Sequence, residues 1–533
     1  MWIPLPSCVL LLCAINSAIS ARILAILPLP GKSHFISNQA VLAALAARGH
    51  HVTVYSSFTP AQPVANMKHI EVHTSFETEM KKSWTFDKFR DTVSQESYFK
   101  FGAYPIFQLS YPICEAFLNL KEVKILLASK EKFDLIMTEA LFGQESMLVF
   151  GHIFKAPVIN LNGFGSWSIL NRIHGNALQI SSAPDLISYP FKDQMSFMER
   201  FRNLVSTTLT IVYYHFFHLP RHQEIINKNV EATDIPPIME MVENLTLTIA
   251  NFHQLVNYPR SYTGNIIPVG GIHIPQLPTP LPKDMKEFLD SGKKSVILFS
   301  LGTVVPVHLM PPEYIQIFLN VFRKLPYKVL WKTEAKSVPD LPNNVMITKW
   351  LPQQSVLAHP NCVLFITHGG LMSQLEVFNA GVPVVCIPFF GDQPYNVGLY
   401  EHFGIGVKLD FNSLTEDSLN MAILSVVGKP QYIENARKAS ILFRHLPMSA
   451  NDTAVFWTEY VLRHAGARHL TPRAAQMPWY QLALLDVTAL ILGAIAIFLY
   501  ILRKILGLLF SLCCSKKPAP IKKKNVAPKK KNN

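Results

Sequence analysis

The sequence predicts an α/β protein: two doubly wound parallel-sheet domains in tandem, followed by one C-terminal transmembrane helix. Three observations carry this. Short apolar strand-like runs alternate with helix-like segments from residue 22, and the alternation restarts at residue 296. Five prolines between Pro268 and Pro282 separate the two series. One apolar run of bilayer-spanning length, residues 484–502, stands near the C-terminus.

From the N-terminus, residues 8–15 form an apolar run too short to cross a bilayer, followed by Ala18-Ile19-Ser20, a small-x-small cleavage pattern. Residues 1–20 therefore read as a removed signal peptide; no Lys or Arg precedes the run, which keeps a retained anchor as the alternative. Residues 22–29 read as a buried strand, Phe35–Arg48 as a helix with an Ala/Leu face, and His51–Tyr55 as a second strand, a βαβ opening. Residues 133–138 and Val158–Asn160 continue the sheet, giving an N-terminal domain over 21–267. The prolines make 268–283 an extended, semi-rigid linker. Strands at Val296–Ser300, Lys328–Thr333, Val345–Thr348, Val363–Thr367 and Val384–Ile387 then build a second domain over 284–465. Residues 466–483 approach the membrane, with Trp479 and Tyr480 as interfacial anchors. Leu484–Leu502 crosses it with a single charge, Asp486, at the lumenal edge. The basic residues of the tail, 503–533, put that tail on the cytosolic side. Leu204–Leu219 fits none of these elements: it is apolar and aromatic but broken by Thr and His, so a core helix, an acceptor wall and a membrane-docking face all stay open.

Composition narrows the function. The 533 residues carry a formal charge of +13, but ten Lys or Arg and no acid lie between Arg503 and Asn533. The main body is therefore nearly neutral and no nucleic-acid binder. Charged residues make up 16% and the hydrophobic set 49%, against about 25% charged in an average soluble protein, which excludes a disordered chain. Of seven cysteines, Cys114, Cys362 and Cys386 remain in the body; the last two sit in or beside apolar strands as buried free thiols rather than a disulfide framework. Asn244 and Asn451 head glycosylation acceptor sequences. Lys530 and Lys531, fourth and third from the end, resemble a di-lysine signal for retrieval to the endoplasmic reticulum, the alternative being a solvated Lys-rich tail.

Gly31-Lys32-Ser33 after the first strand imitates the end of a phosphate-binding P-loop, but position 26 is Ile where that motif needs Gly. Pro28 and Pro30 also remove backbone donors. No GxGxxG follows a strand and no aspartates stand as DxD, so nicotinamide chemistry and metal-bridged sugar-nucleotide binding both lose support. The informative segment is Lys349–Gln393. Strand Val363–Thr367 runs into His368-Gly369-Gly370 and then a helix carrying Glu376. Two glycines at such a turn let N–H groups approach an anion, and the helix dipole favours negative charge there. His368 can donate to the same anion, Glu376 can accept from ribose hydroxyls, Trp350 offers a stacking face and Gln353 an amide for a base edge. Asp392-Gln393 suits sugar hydroxyls. Singly each residue has an ordinary structural role; jointly they fit base, ribose, diphosphate and sugar.

With W-x-P-Q, T-H-G-G, the helix Glu and the terminal D-Q at these spacings, Lys349–Gln393 resembles the signature of the UDP-glycosyltransferases. The resemblance spans the chain: Phe299–Thr303 (FSLGT) looks like that family's first donor-domain loop, and the wording GKSHF, FITHGGLMS and PFFGDQ is nearest to insect members. It implies a GT-B fold, the acceptor bound by the N-terminal domain and UDP-sugar by the C-terminal one. It further implies that His34, directly after the first strand, deprotonates the acceptor, and that a carboxylate orients it; Glu139 stands at that place in the F-D-x-x-x-x-E segment from Phe133. Without the resemblance, His34 reads as a helix cap sooner than as a base. Met372 stands where many relatives carry Asn.

These residues lead to one set of expectations. The enzyme is an inverting hexosyltransferase acting without metal or cofactor, with UDP-sugar as co-substrate and small lipophilic hydroxyl compounds as acceptors, a detoxifying conjugation. Ser300 and Gly302, in the first donor-domain loop, bind the donor, and Thr367, His368, Gly369, Gly370 and Ser373 hold its diphosphate. UDP-glucose is the expected donor. UDP-glucuronate is the alternative, with Arg260 as the contact for its sugar carboxylate. A non-catalytic UDP-sugar or lipophile carrier is the rival from another class. Self-association is left open.

Overall fold

β1 (Arg22–Leu27) is apolar at five of six positions and all five are buried, the pattern of a strand covered on both faces. The computed structural model describes residues 20–74, 103–187, 192–254, 256–292, 295–303, 305 and 307–514. Residues 1–19 of the expected signal segment, and the tail from 515 with Lys530 and Lys531, lie outside the described residues.

The strands β1, β2 (His51–Ser56), β3 (Met67–Glu71), β4 (Leu135–Thr138), β5 (Val158–Asn162), β6 (Leu247–Ala250) and β7 (Ile266–Pro268) form one sheet ordered β3-β2-β1-β4-β5-β6-β7. Every pairing in it is parallel. A second parallel sheet contains β8 (Val296–Ser300), β9 (Lys328–Lys332), β10 (Val345–Thr348), β11 (Cys362–Thr367), β12 (Val384–Cys386) and β13 (Gly406–Lys408), ordered β10-β9-β8-β11-β12-β13. Strand order reverses between β1 and β4 in the first sheet and between β8 and β11 in the second. Such switch points open crevices at the carboxyl ends of the strands, where ligands bind in open α/β sheets. Cys114, Cys362 and Cys386 are buried and free, and Asn244 and Asn451 are exposed.

Helix α1 (Lys32–Ala47) follows β1 and buries Val41, Leu42, Leu45 and Ala46 on the sheet. Helix α2 (Phe197–Tyr213) opens on a capping box between Ser196 and Glu199 and runs into a π-helical turn, Tyr214–His218. It is no ordinary core helix. Asn203, Thr207 and Thr210 turn inward, Asn203 donating to the Ile180 carbonyl at 2.8 Å, while Leu204, Val205, Leu209 and Val212 are exposed. Helices α3 (Leu371–Ala380) and α4 (Gln393–His402) carry the second sheet's loops.

Helix α5 (Ala450–Arg463) departs from the expected grouping with 284–465. Its Ala454 and Val461 lie in the core of the first sheet, beside α1, and Arg48 Nε meets Glu459 Oε1 at 3.3 Å. The reason is area: an amphipathic helix buries its stripe wherever a complementary face is in reach. The chain thus crosses to the second half after β7 and returns by α5.

Residues from Gln476 onward form a separate unit. Its helix α6 (Leu485–Cys514) is long and apolar enough to cross a membrane. It continues past the expected end at Leu502, since nothing in the run after Lys504 breaks a helix; thirty residues at about 1.5 Å each exceed a hydrocarbon core of about 30 Å.

Candidate active site

His34 occupies the first turn of α1, at the carboxyl end of β1, and Glu139 follows directly on β4, so the switch point of the first sheet brings them together. His34 Nδ1 lies 2.7 Å from Glu139 Oε1. The same oxygen accepts from the Gly163 N–H at 2.7 Å, and Oε2 accepts from Asn38 Nδ2 at 3.0 Å. With three donors converging on its two oxygens, the carboxylate fixes the imidazole with a proton on Nδ1, leaving the lone pair on Nε2. The longer Glu side chain makes this contact without strain in the pair because Gly163 leaves room: a Cβ there would stand 3.1 Å from both Glu139 Oε1 and His34 Nδ1. Burial acts against charge on His34, but the Glu139 carboxylate and its hydrogen bond outweigh it, with Asp392 adding, and the pKa is raised above its ordinary value. Phe142 and Phe164 flank the ring, at 4.6 and 6.3 Å between centroids.

The second sheet presents its own switch point. Ser300 and Thr367 are register partners at the ends of β8 and β11, and their hydroxyls accept from the Gly302 and Gly369 N–H groups, each at 3.3 Å. His368 follows Thr367. Gly302 has φ +77°, and a Cβ on it would lie 2.5 Å from His368 Cε1, so the β8 loop closes over the imidazole only as glycine. Burial, with Lys332 adding, pushes His368 down to about 4, which makes it a neutral donor. Its Nδ1 has no partner among the described residues. Gly370 N-caps α3.

One turn into α3, Ser373 Oγ accepts from Gln353 Nε2 at 3.0 Å, and Glu376 binds both Gln353 and Gln354, the latter at 2.6 Å. Gln353, Ser373 and Glu376 thus form one network. Trp350, after β10, is 51% exposed. Asp392 Oδ2 accepts from the Leu371 N–H at 3.2 Å and from Asn396 Nδ2 at 2.7 Å; burial lifts its pKa to about 6. Gln393 Oε1 accepts from the Phe389 N–H at 2.8 Å.

The two crevices face each other. His34 lies within electrostatic reach of Asp392, Asn251 Nδ2 contacts Met372 Sδ at 3.3 Å, and Lys32 Nζ stands 3.8 Å over the Trp350 ring. Arg260 joins the halves too. Its Nη2 donates to the Pro184 carbonyl at 3.0 Å and to the Tyr395 hydroxyl at 3.1 Å. That nitrogen is thereby committed to an interdomain contact, while Nε has no partner among the described residues.

Asn38, Gly163, Lys32, Lys332 and Asn396 were missed from the sequence. Asn38 had a usable signal, standing one helical turn after His34; the others depend on loops meeting across the fold. A second buried cluster lies behind the first site. His218 Nε2 and His222 Nε2 stand 2.9 and 3.5 Å from Glu145 Oε2. Burial raises Glu145 to about 7 and lowers both imidazoles to about 3. The Ser146 N–H donates to His222 Nδ1 at 3.2 Å, so the hydrogen of His222 sits on Nε2. That is a hydrogen-bonded network, with no lone pair left on that nitrogen for a metal.

Two parallel sheets with opposed switch-point loops define the GT-B glycosyltransferases. Solved structures share this fold. The chain superposes on a UDP-glucose: anthocyanidin 3-O-glucosyltransferase in complex with UDP (TM-score 0.56, 18% identity, 83% of this chain and 99% of that one) and on the calicheamicin glycosyltransferase CalG4 (TM-score 0.54, 19% identity, 84% and 100%). Residues 23–519 match the family described as UDP-glucoronosyl and UDP-glucosyl transferase, and the chain belongs to that family. It is 35% identical over 528 residues to UDP-glycosyltransferase UGT5 of Dactylopius coccus, covering 96% of this chain and 98% of that one. It is 31% identical over 490 residues to UDP-glucuronosyltransferase 2B13 of Oryctolagus cuniculus, covering 89% and 90%. The protein is a UDP-glycosyltransferase.

Proposed function

We infer that the protein transfers glucose from UDP-glucose to hydroxyl groups of small lipophilic acceptors, with inversion and without a metal ion. The carrying observation is the His34–Glu139 pair at 2.7 Å, set opposite Asp392. His34 Nε2 takes the acceptor proton as the oxygen bonds to the anomeric carbon; the bond from that carbon to the diphosphate oxygen breaks, and UDP leaves with the electron pair. Glu139 steadies the imidazolium, as the acid of a triad does. His368, the N–H groups opening α3 and the hydroxyls of Ser300, Thr367 and Ser373 receive the developing diphosphate charge, a set of pre-organised donors that does a cation's work. Trp350 and Gln353 take the base, Glu376 the ribose, and Asp392 and Gln393 the sugar.

Glucose is favoured over glucuronate by two observations. A second carboxylate beside Asp392 needs a cation, and Arg260 is anchored through Nη2 to Pro184 and Tyr395; a second similar protein of Dactylopius coccus, 36% identical, is named UDP-glucosyltransferase 2. Equimolar UDP-glucose and UDP-glucuronate, offered with a phenol panel and read as product mass, should yield glucosides. A glucuronide as the main product, lost on Arg260→Ala, would reverse the assignment. The signal-like start, the exposed Asn244 and Asn451 and the terminal lysines support an endoplasmic-reticulum membrane protein with a lumenal body. In sealed microsomes protease should remove only the tail; digestion of the body would refute that orientation.

A further inference from the structure

We propose that Lys32 is a donor-binding residue contributed from across the cleft, whose ammonium engages the diphosphate of the nucleotide sugar. The inference rests on the donor site proposed above and adds to it a residue from the half otherwise assigned to the acceptor. Lys32 opens α1, two residues before His34, but its side chain leaves the first half: Nζ stands 3.8 Å from the centre of the Trp350 ring. Lys32 is exposed and forms no ion pair with an acid among the described residues. A cation over an exposed indole is held weakly, so Trp350 positions this ammonium without consuming it.

What surrounds that position is cationic. Lys332, at the end of β9, is buried and donates to the Gly302 carbonyl at 2.6 Å, which aims it at the β8 loop and His368. Thr348, two residues before Trp350, is the register partner of Lys332, so the ring that holds Lys32 stands beside the end of β9; burial lowers the Lys332 pKa, Glu334 acts the other way, and Lys32 adds to the lowering. Lys332 in turn lowers His368. Two lysines and a neutral imidazole donor thus converge at the ends of β8, β9 and β11. The acid that faces Lys332 is the exposed Glu334, and Asp392 faces His34 instead. Like charges held together raise the energy of the site until an anion bridges them. A diphosphate is an anion of the right reach: as its base takes the Trp350 face it displaces the Lys32 ammonium from the ring, and, capped by His368, the diphosphate passes between Lys332 and Lys32. Contact with Lys32 would also tie donor binding to the turn that carries His34.

Binding separates the diphosphate from the base. Using the purified full-length protein, calorimetry with UDP and, separately, with uridine should show that Lys32→Gln weakens UDP about tenfold, the worth of one charge-assisted contact, while uridine binds as tightly as to wild type or tighter. Lys32→Arg should restore UDP binding, and the donor KM should rise in Lys32→Gln with the acceptor KM unchanged. UDP affinity within twofold of wild type in Lys32→Gln, or equal loss for UDP and uridine, would overturn the proposal. His368→Ala separates the two readings. If wild type binds no UDP, or His368→Ala binds it undiminished, the donor site itself is misassigned. If both of those controls behave as expected while Lys32→Gln is silent, only the role of Lys32 falls.

Discussion

Replacing Glu139 by Gln removes one charge and keeps the shape, so its effect can be worked from the contacts. Oε1 receives His34 Nδ1–H and the Gly163 N–H, and Oε2 receives the Asn38 amide. A Gln must turn its NH2 toward one side. Facing Gly163, it would strand a buried backbone donor and force His34 into the tautomer with hydrogen on Nε2. Facing Asn38, it asks only that the Asn38 amide flip, so the carbonyl stays on Nδ1–H. The base keeps its tautomer but loses the carboxylate that stabilises the imidazolium. A charge-assisted hydrogen bond is worth about 1.5–3 kcal/mol, so kcat should fall about 10- to 150-fold at neutral pH. The titration should shift as well. The carboxylate raises the His34 pKa against burial; without it burial prevails, and the acidic limb of kcat/KM, where the base is lost to protonation, should move to lower pH. UDP-release kinetics from pH 5 to 9 with a phenolic acceptor measure both. A variant that keeps more than half of wild-type kcat, or an acidic limb that stays in place, would refute the roles given to this pair.

Gly163→Ala should lower kcat by at least tenfold with UDP affinity unchanged, because the new methyl group would crowd both His34 and Glu139; turnover and calorimetry in parallel decide this. Gly302→Ala should do the reverse and weaken UDP binding, since its Cβ would overlap the His368 imidazole and its φ of +77° is strained for alanine; unchanged UDP affinity would refute that placement. Asp392→Asn should abolish glucosyl transfer yet make the protein more stable at pH 7. The folded carboxyl has a pKa near 6, raised by burial, so ionising it costs stability as pH rises from about 4 towards 6. Thermal melts of wild type and variant should diverge over that range and coincide at pH 4.

The fold was legible because its signals are local. Runs such as RILAIL and CVLFIT are buried strands by composition alone, and the turn from Thr367 through Gly370 into α3 is written in consecutive residues. His34 and Glu139 could be paired only through the family resemblance, since 105 positions separate them and nothing in their local sequence points one to the other. Strands β3, β6, β7 and β13 escaped notice because each is only three to five residues long, too short for a periodic signal, and the contact of Arg260 with Tyr395 needed the other half of the chain. Composition left the role of α2 open: Leu204, Val205, Leu209 and Val212 face outward, while Ile211 and Tyr213 join three polar residues in packing on the core.

The return of α5 to the first sheet bears on how such enzymes can be recombined. A chimera that takes its acceptor half from one relative and its donor half from another is naturally joined near residue 283, but that junction leaves α5 with the donor parent. Ala454, Val461 and Glu459 would then meet an α1 from a different sequence, and the turn at Ala475 would meet a different loop at Gly175, where a Cβ would stand 2.6 Å from the Ala475 nitrogen. The first sheet's packing is therefore transplanted whole only when two pieces travel together, the first 283 residues and the segment from Ala450 to Ala475, a discontinuous module threaded through its host.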